Sequence, residues 1–239
     1  EQTKEPESKA TLSRSGEKSE PRKPARHANT MIESLGVYLP PNEVTTKDLI
    51  GDCKKKMWFP LEYMTGIKAR RMAGKEEFSI DLAVKAVKEC LSYSKYQPDH
   101  IDLIVCCNIT RSDAHLQVTI EPNTSLQVKK RCGFNNAIVF DITNACAGMF
   151  TGMQIVDSFI SAGLIRRGMV VSGEFITGIT RTAQIEITEF LDPRLACLTV
   201  GDAGAAIIME SSGGTDVGFH ELDMYTLGKY AWMCIGRLT

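Results

Sequence analysis

The chain is polar from Glu1 to Thr30 and then begins to alternate. Ile32 to Val37 predicts a strand, and Thr45 or Thr46 opens a helix that leads to a loop at Thr65-Gly66-Ile67. Ser79 is placed to cap a helix running to about Tyr93, in which Ala83, Ala86, Val87, Cys90 and Leu91 share one face. Asp99 leads into a strand from Ile101 to Cys107, and Pro122 suits the first turn of a helix through Lys130. Ala137 to Ile142 reads as a buried strand. A small-residue corner follows, Asn144-Ala145-Cys146-Ala147-Gly148. A helical pattern comes next, with Phe150, Met153, Ile155, Val156, Phe159 and Ile160, and it stops at Gly163. Met169 to Gly173, Gly204 to Glu210 and Val217 to Tyr225 read as the later strands. Strands alternating with helices indicate an α/β unit with a largely parallel sheet covered on both faces.

Composition narrows the class. With 43% hydrophobic residues, 24% charged residues and a formal net charge of −1, the chain has no field to steer it onto nucleic acid. No apolar run approaches the ~20 residues of a membrane helix. Residues 1–30 carry seven Lys/Arg and five Asp/Glu among Ser, Pro and Thr, which predicts a disordered tail or linker ahead of a domain over residues 31–239. The tail lacks the apolar stretch of a secretory signal, and its glutamates argue against an organelle transit peptide. Eight cysteines lack CxxC spacing, and His27, His100, His115 and His220 form no HExxH pattern. Neither a metal site nor a disulfide framework is expected, and so many unpaired thiols suit a reducing cytoplasm.

Cysteine is usually buried, and Cys90, Cys106, Cys107 and Cys197 sit in apolar patterns that fit a structural role. Cys53 and Cys132 have no partner at a meaningful spacing. Cys146 differs, because it falls where a strand hands over to a helix among Ala and Gly. Backbone N–H groups and the helix dipole favour a thiolate there, and small neighbours let a substrate approach. The Cys146 amide can also face the oxyanion formed when that thiolate attacks a thioester. The corner has the form of a nucleophile elbow. From geometry alone, nucleophile and structural cysteine both stand.

Asp141-Ile-Thr-Asn-Ala-Cys146-Ala-Gly-Met-Phe resembles the active-cysteine motif of the β-ketoacyl-acyl-carrier-protein synthase III family, within the thiolase superfamily. Four further segments agree, in the family's order: Ser34-Leu-Gly-Val-Tyr-Leu-Pro40, Thr65-Gly-Ile-Lys-Ala-Arg-Arg71, Asp99-His-Ile-Asp-Leu-Ile-Val105 and Val200-Gly-Asp-Ala-Gly-Ala-Ala-Ile-Ile208. The resemblance covers Met31 to about Glu210. It implies a thiolase-like fold, of which this chain is one α/β half of a two-half layered αβαβα architecture. The half that supplies a catalytic His and Asn is absent, and His220, in a strand pattern, matches no family motif and is read as structural. The chain then reads as a fragment, a processed product or one subunit of a split enzyme. Without its second half, one sheet face and the outer surface of the elbow helix need a cover.

The resemblance implies an acyltransferase in fatty acid or polyketide-like biosynthesis. Cys146 accepts an acyl group from acyl-CoA, a substrate rather than a permanently bound cofactor. A malonyl-type thioester on acyl carrier protein then condenses with it. Arg194, seven residues before Gly201, falls where family members flank the coenzyme adenine; it reads equally as a loop arginine in solvent. Thr65, Gly66 and Ile67 resemble the other coenzyme-lining segment, although Met64 stands where an arginine is common and Pro60 where a tryptophan is. Glu121 lies 25 residues before Cys146, in the loop that in the family crosses to a dimer partner. In olefin-forming relatives a glutamate from about this loop is the base for non-decarboxylative long-chain Claisen condensation. The plainer reading is an acid favoured at a helix start. Gly201-Asp-Ala-Gly204 reads as architectural, since no Lys follows it as in a phosphate loop. The implied assembly is a homodimer, or a heteromer with a chain supplying the missing half. The alternative in a different class is a non-catalytic or half-site partner subunit.

Overall fold

The computed structural model describes residues 29–56, 59–112, 120–190, 192–214 and 216–233. The tail predicted over residues 1–30 lies outside them except for its last two residues, and Thr30 already opens the first strand with its side chain buried.

A five-stranded sheet forms the centre, in the order β1 (Thr30–Tyr38), β7 (Ala203–Ser211), β6 (Arg167–Glu174), β4 (Leu103–Cys106), β5 (Ile138–Asp141). Four of its strands share one direction, in line with a largely parallel sheet, but the fifth, β7, is reversed, which the sequence reading did not foresee. The β6–β4 and β4–β5 pairings are parallel, whereas β7 runs antiparallel to both β1 and β6. Alternation of strands and helices cannot reveal this, because β1 and β7 meet across most of the chain. The strand Val217 to Tyr225 does not form. Phe219 makes one bridge to Thr30, and Gly218 at φ 113° turns the chain beside it, so the pairing is not extended into a strand. The elbow strand is also not fully buried: β5 is an edge strand, and Ile138 is 63% exposed.

Helix α3 (Ser79–Tyr93) lies on one face of the sheet, joined by α4 (Thr124–Cys132). Its cap is Phe78, one residue before the expected Ser79, because the Asp81 carboxylate accepts the Phe78 N–H at 3.0 Å. Close contact between α3 and the sheet requires glycine on the strands. A Cβ on Gly36, Gly173 or Gly204 would lie 2.1 to 2.2 Å from α3 backbone. The stripe Ala83, Ala86, Val87 and Cys90 is fully buried there with Ile104, Val171 and Ile208. Helix α4 starts at Thr124 rather than Pro122, since the Asn123 side chain accepts the Leu126 N–H at 3.0 Å. Helix α5 (Gly148–Ser161) covers the opposite face, burying Met153, Val156 and Ile160 against Val105, Val170 and Met209.

A small lobe caps one end of the sheet. It holds the ribbon β2 (Asn42–Thr45) and β3 (Ala69–Met72), with helices α1 (Thr46–Gly51), α2 (Leu61–Thr65) and α6 (Gly178–Glu186), and the 3-10 segment Pro193–Leu198. Leu49, Leu61, Ala183, Ile187 and Leu198 form its core. Strand directions fix its position. β1, β6, β4 and β5 all point the same way, β1 and β6 both run into the lobe, and β7 returns from it. The lobe therefore sits at the carboxyl ends of the parallel strands, where open α/β sheets bind ligands.

Candidate functional site

The elbow forms at that same end. β5 finishes at Asp141, and Ile142 still donates its N–H to the Cys106 carbonyl at 2.8 Å before the chain turns. Asn144 sits at φ −150°, and Ala145 adopts φ 43°, the one non-glycine positive φ among the described residues. A left-handed alanine costs about 1–2 kcal/mol, so the turn must be held by its surroundings. The Ala147 N–H bonds the Asn144 carbonyl at 3.0 Å, and the Gly148 N–H bonds that of Ala145. The Asn144 side-chain amide donates to Thr151 Oγ1 at 2.7 Å, and that hydroxyl donates to the Ala147 carbonyl at 3.0 Å. Residues Ala145–Ala147 form one 3-10 turn that runs into α5, with Cys146 at its centre and exposed.

Two glycines seat the helix behind it. A Cβ at Gly148 would lie 3.0 Å from the Cys107 carbonyl oxygen, and one at Gly152 would lie 2.7 Å from both Cys107 Sγ and Val170 Cγ1. The first turns of α5 thus rest directly on the residue that follows β4 and on the middle of β6.

Exposure separates Cys146 from the other described thiols. Cys53, Cys90, Cys106 and Cys107 are buried, and Cys132 and Cys197 are half-buried. Burial pushes all six of those thiols up, Cys107 to about 12. They are held protonated at neutral pH, four of them (Cys90, Cys106, Cys107 and Cys197) in the apolar patterns read from the sequence. Cys146 is the one exposed cysteine among the described residues.

Glu121 reaches the same end of the sheet by another route. It precedes α4, is exposed, and accepts the Asn123 N–H at 3.0 Å. The α4 N-terminus is bound to β5 through Asp141, whose carboxylate accepts the Thr124 and Ser125 N–H groups at 3.0 and 2.8 Å. Arg111 approaches that carboxylate at 3.9 Å. Asp141 thus ties the segment after Glu121 to the strand that leads to Cys146. Sequence reading missed this tie, although Asp141 stands inside the quoted motif at the end of a strand.

The loop after β4 is pinned similarly. Glu174, at the end of β6, accepts the Ile109 and Thr110 N–H groups at 2.6 and 2.9 Å and the Thr110 hydroxyl at 2.6 Å. Buried Asn108 bonds the Gly173 backbone through both ends of its amide. Neither residue was singled out from the sequence, because the partners lie 64 to 65 positions away.

The two coenzyme-lining candidates share the cap lobe. Thr65 closes α2, Gly66 takes φ 73° as its left-handed C-cap, and the Ile67 carbonyl accepts the Thr46 hydroxyl at 2.6 Å. Arg194 opens the 3-10 segment, but it is not a free cation. Asp192 grips its guanidinium twice, Nε to Oδ1 at 2.8 Å and Nη2 to Oδ2 at 2.6 Å, and Glu186 accepts from Nη1 at 2.9 Å. The Arg194 hydrogen bonds hold the Asp192 carboxyl at about 2 and raise the guanidinium further. A different arginine, Arg70, is buried and donates to the Leu198 carbonyl at 3.1 Å and to Thr46 Oγ1 at 2.9 Å, joining the ribbon to the 3-10 segment.

Gly201-Asp-Ala-Gly204 is architectural, with a longer reach than local turn bonding. Asp202 is buried and accepts from the Ala73, Ile176 and Thr177 N–H groups and the Thr177 hydroxyl at 2.7 to 2.9 Å. His220 lies outside any strand with its side chain 63% exposed, 3.8 Å from Asp216. Among the described residues, no group of three or more His, Cys, Asp or Glu is placed to hold a metal ion. No helix of the described residues is long and apolar enough to cross a membrane.

Residues 140–228 match the family model for 3-oxoacyl-[acyl-carrier-protein] synthase III. The β-ketoacyl-[acyl-carrier-protein] synthase III of Aquifex aeolicus is 32% identical over 191 residues, 79% of this chain and 56% of the relative. Synthase III 2 of Bacillus subtilis is 29% identical over 181 residues, 75% of this chain and 50% of the relative. The chain spans about half the length of the curated relatives it matches. Among solved structures, cerulenin-bound OleA of Xanthomonas campestris superposes with a TM-score of 0.67 at 25% identity, over 77% of this chain and 57% of that one. The priming β-ketosynthase of the R1128 polyketide biosynthetic pathway gives 0.64 at 26%, over 80% and 52%.

Proposed function

The chain belongs to the β-ketoacyl-acyl-carrier-protein synthase III family of thiolase-like proteins, and from that we propose that it forms the acyl-accepting half of a condensing acyltransferase. Cys146 is the acceptor. Its thiolate attacks the carbonyl carbon of an acyl-CoA, the new C–S bond forms, and coenzyme A leaves as its thiolate. The α5 N-terminus lies beside the charge that builds on the carbonyl oxygen. Condensation with a malonyl-type thioester on acyl carrier protein follows, with the His and Asn of the second half holding the thioester oxygen. The observation that carries this reading is the position of Cys146 at the head of α5, as the one exposed thiol among the described residues.

The donor's coenzyme lies against the cap lobe, where Thr65, Gly66 and Ile67 share a packed unit with the Arg194 segment. Asp192 and Glu186 take three of the five N–H donors of Arg194 and hold its guanidinium plane in place, and that plane is what it offers to an adenine.

Leu35 and Val37, on the β1 face turned away from α3, are 51% and 42% exposed, and Phe150 on α5 is 69% exposed. The second half of the architecture covers this surface, in the same polypeptide or in a partner of a homodimer or heteromer. The chain works in a reducing cytoplasm, which suits the free cysteines.

Intact mass after incubation with short- and long-chain acyl-CoA, beside Cys146→Ala, tests the proposal. One acyl adduct absent from the variant supports it. A folded protein that takes up no adduct would point instead to a non-catalytic partner subunit.

A further inference from the structure

Resting on the reading of Cys146 as the acyl acceptor, we propose that Asn144 and Thr151 are positioning residues whose hydrogen bond fixes the direction of the Cys146 side chain. An Asn just before a helix ordinarily accepts a helix N–H. Asn144 does not: neither the 3-10 turn nor α5 receives a side-chain cap. Its amide reaches across the corner and donates to Thr151 Oγ1 at 2.7 Å. That hydroxyl spends its one proton on the Ala147 carbonyl at 3.0 Å, so it can only accept from Asn144.

The result is a closed brace. Asn144 also supplies the backbone carbonyl that receives the Ala147 N–H at 3.0 Å. Ala147 is therefore held through both its N–H and its C=O, and Cys146 lies between it and the left-handed Ala145. Asn144 is exposed and Thr151 half-buried, so water can reach these groups without the bond. What the bond supplies is geometry. It sets how Ala145 turns, and that turn sets where the Cys146 sulfur points. Acyl transfer depends on that direction, because the sulfur must approach a carbonyl already held in place. Alkylation by a small free reagent does not.

The test uses the full-length protein and Thr151→Val, Thr151→Ser, Asn144→Ala and the Asn144→Ala/Thr151→Val double variant. Two rates at Cys146 are read for each: acyl-adduct formation from acyl-CoA by intact mass, and alkylation by iodoacetamide. Thr151→Val should slow acylation about fivefold to tenfold, the value of one hydrogen bond, and leave alkylation within about twofold of wild type. Thr151→Ser, which restores the hydroxyl, should recover acylation. Asn144→Ala removes only the bond to Thr151 and should slow acylation no more than Thr151→Val, which also removes the hydroxyl's bond to the Ala147 carbonyl; the double variant should be no worse than Thr151→Val, because the Asn144–Thr151 bond is already gone there. Should Thr151→Val fail to fold by circular dichroism, Asn144→Ala alone decides, since its truncation is at the surface. Acylation at the wild-type rate in Asn144→Ala or Thr151→Val would overturn the inference while leaving the acyl-acceptor reading intact. Equal losses of acylation and alkylation would also overturn it, as general loosening of the corner. A wild-type protein with no adduct beyond Cys146→Ala would take down both.

Discussion

Replacing Gly152 with alanine sets two effects of opposite sign against each other. Within a helix the change is worth about 1 kcal/mol in favour of alanine. The new methyl, however, would lie 2.7 Å from Cys107 Sγ and 2.7 Å from Val170 Cγ1. Both neighbours are buried on strands whose far face is packed under α3, so neither can swing aside. Overpacking of this kind costs ~1–3 kcal/mol, and two rigid contacts put this case in the upper part of that range. The net is a loss of ~1–2 kcal/mol, read as a lower urea midpoint at unchanged m-value. Because α5 must lift away from β4, the elbow should lift with it and acylation of Cys146 should slow. Gly178→Ala is the control: it opens α6 and nothing lies within 4 Å of its Cβ position, so stability should hold or rise by up to about 1 kcal/mol and should not fall. The Gly152→Ala/Cys107→Ala pair should recover part of the loss by deleting one of the two contacts. A Gly152→Ala protein more stable than wild type would refute the seating of α5 on Cys107, because propensity alone would then have decided the outcome.

Other expectations rest on separate parts of the molecule. Asp202→Ala orphans two buried N–H groups, a half-buried one and a buried hydroxyl and should cost at least ~3 kcal/mol in urea unfolding; a loss below ~1 kcal/mol would contradict the bonding described. If Glu121 is the base of a Claisen step, Glu121→Gln should stop condensation and spare acylation of Cys146, and equal loss of both would count against that role. Arg194→Ala should let the Asp192 carboxyl rise from about 2 toward its ordinary 3.8, followed by carbon NMR. A folded-state value held low means that the pair's contribution is present above pH ~4 and lost as pH falls toward about 2.

Helices and central strands were legible because their patterns are local. The stripe Ala83, Ala86, Val87 and Cys90 declares one face of α3, and Met169 to Gly173 declares a strand covered on both sides. Sheet order was not legible, since the direction of β7 depends on β1, about 170 residues earlier in the chain. Val217 to Tyr225 shows the converse error, with strand-like residues that join no sheet beyond the Phe219 bridge. At α4 the proline drew attention away from Asn123, which makes the capping bond. Around Cys146 the small residues revealed the corner. The Asn144–Thr151 brace stayed hidden because its two ends face each other only after Ala145 has turned.

Choosing among the cysteines needed the fold itself. Cys106 ends β4 and Cys107 follows it, next to the elbow, so three thiols gather at one end of the sheet. Topology then closes two of them. Side chains alternate along β4, so Cys106 points toward α3, where its sulfur meets Asn108 Oδ1 at 2.9 Å, and Cys107 points under α5. Burial holds Cys106 well above its ordinary value of 9.0 and Cys107 at about 12. A raised folded-state value favours the folded protein below pH ~9 and is lost as pH climbs toward about 12, so these thiols should contribute to alkaline unfolding. They should also be silent to iodoacetamide at neutral pH while Cys146 reacts. Peptide mapping after native alkylation should show Cys146 modified, and Cys106 and Cys107 modified only after denaturant. Early labelling of Cys107 would mean that α5 lifts off β4 in the native state, and the rigid seat argued for the Cys146 corner would then be wrong.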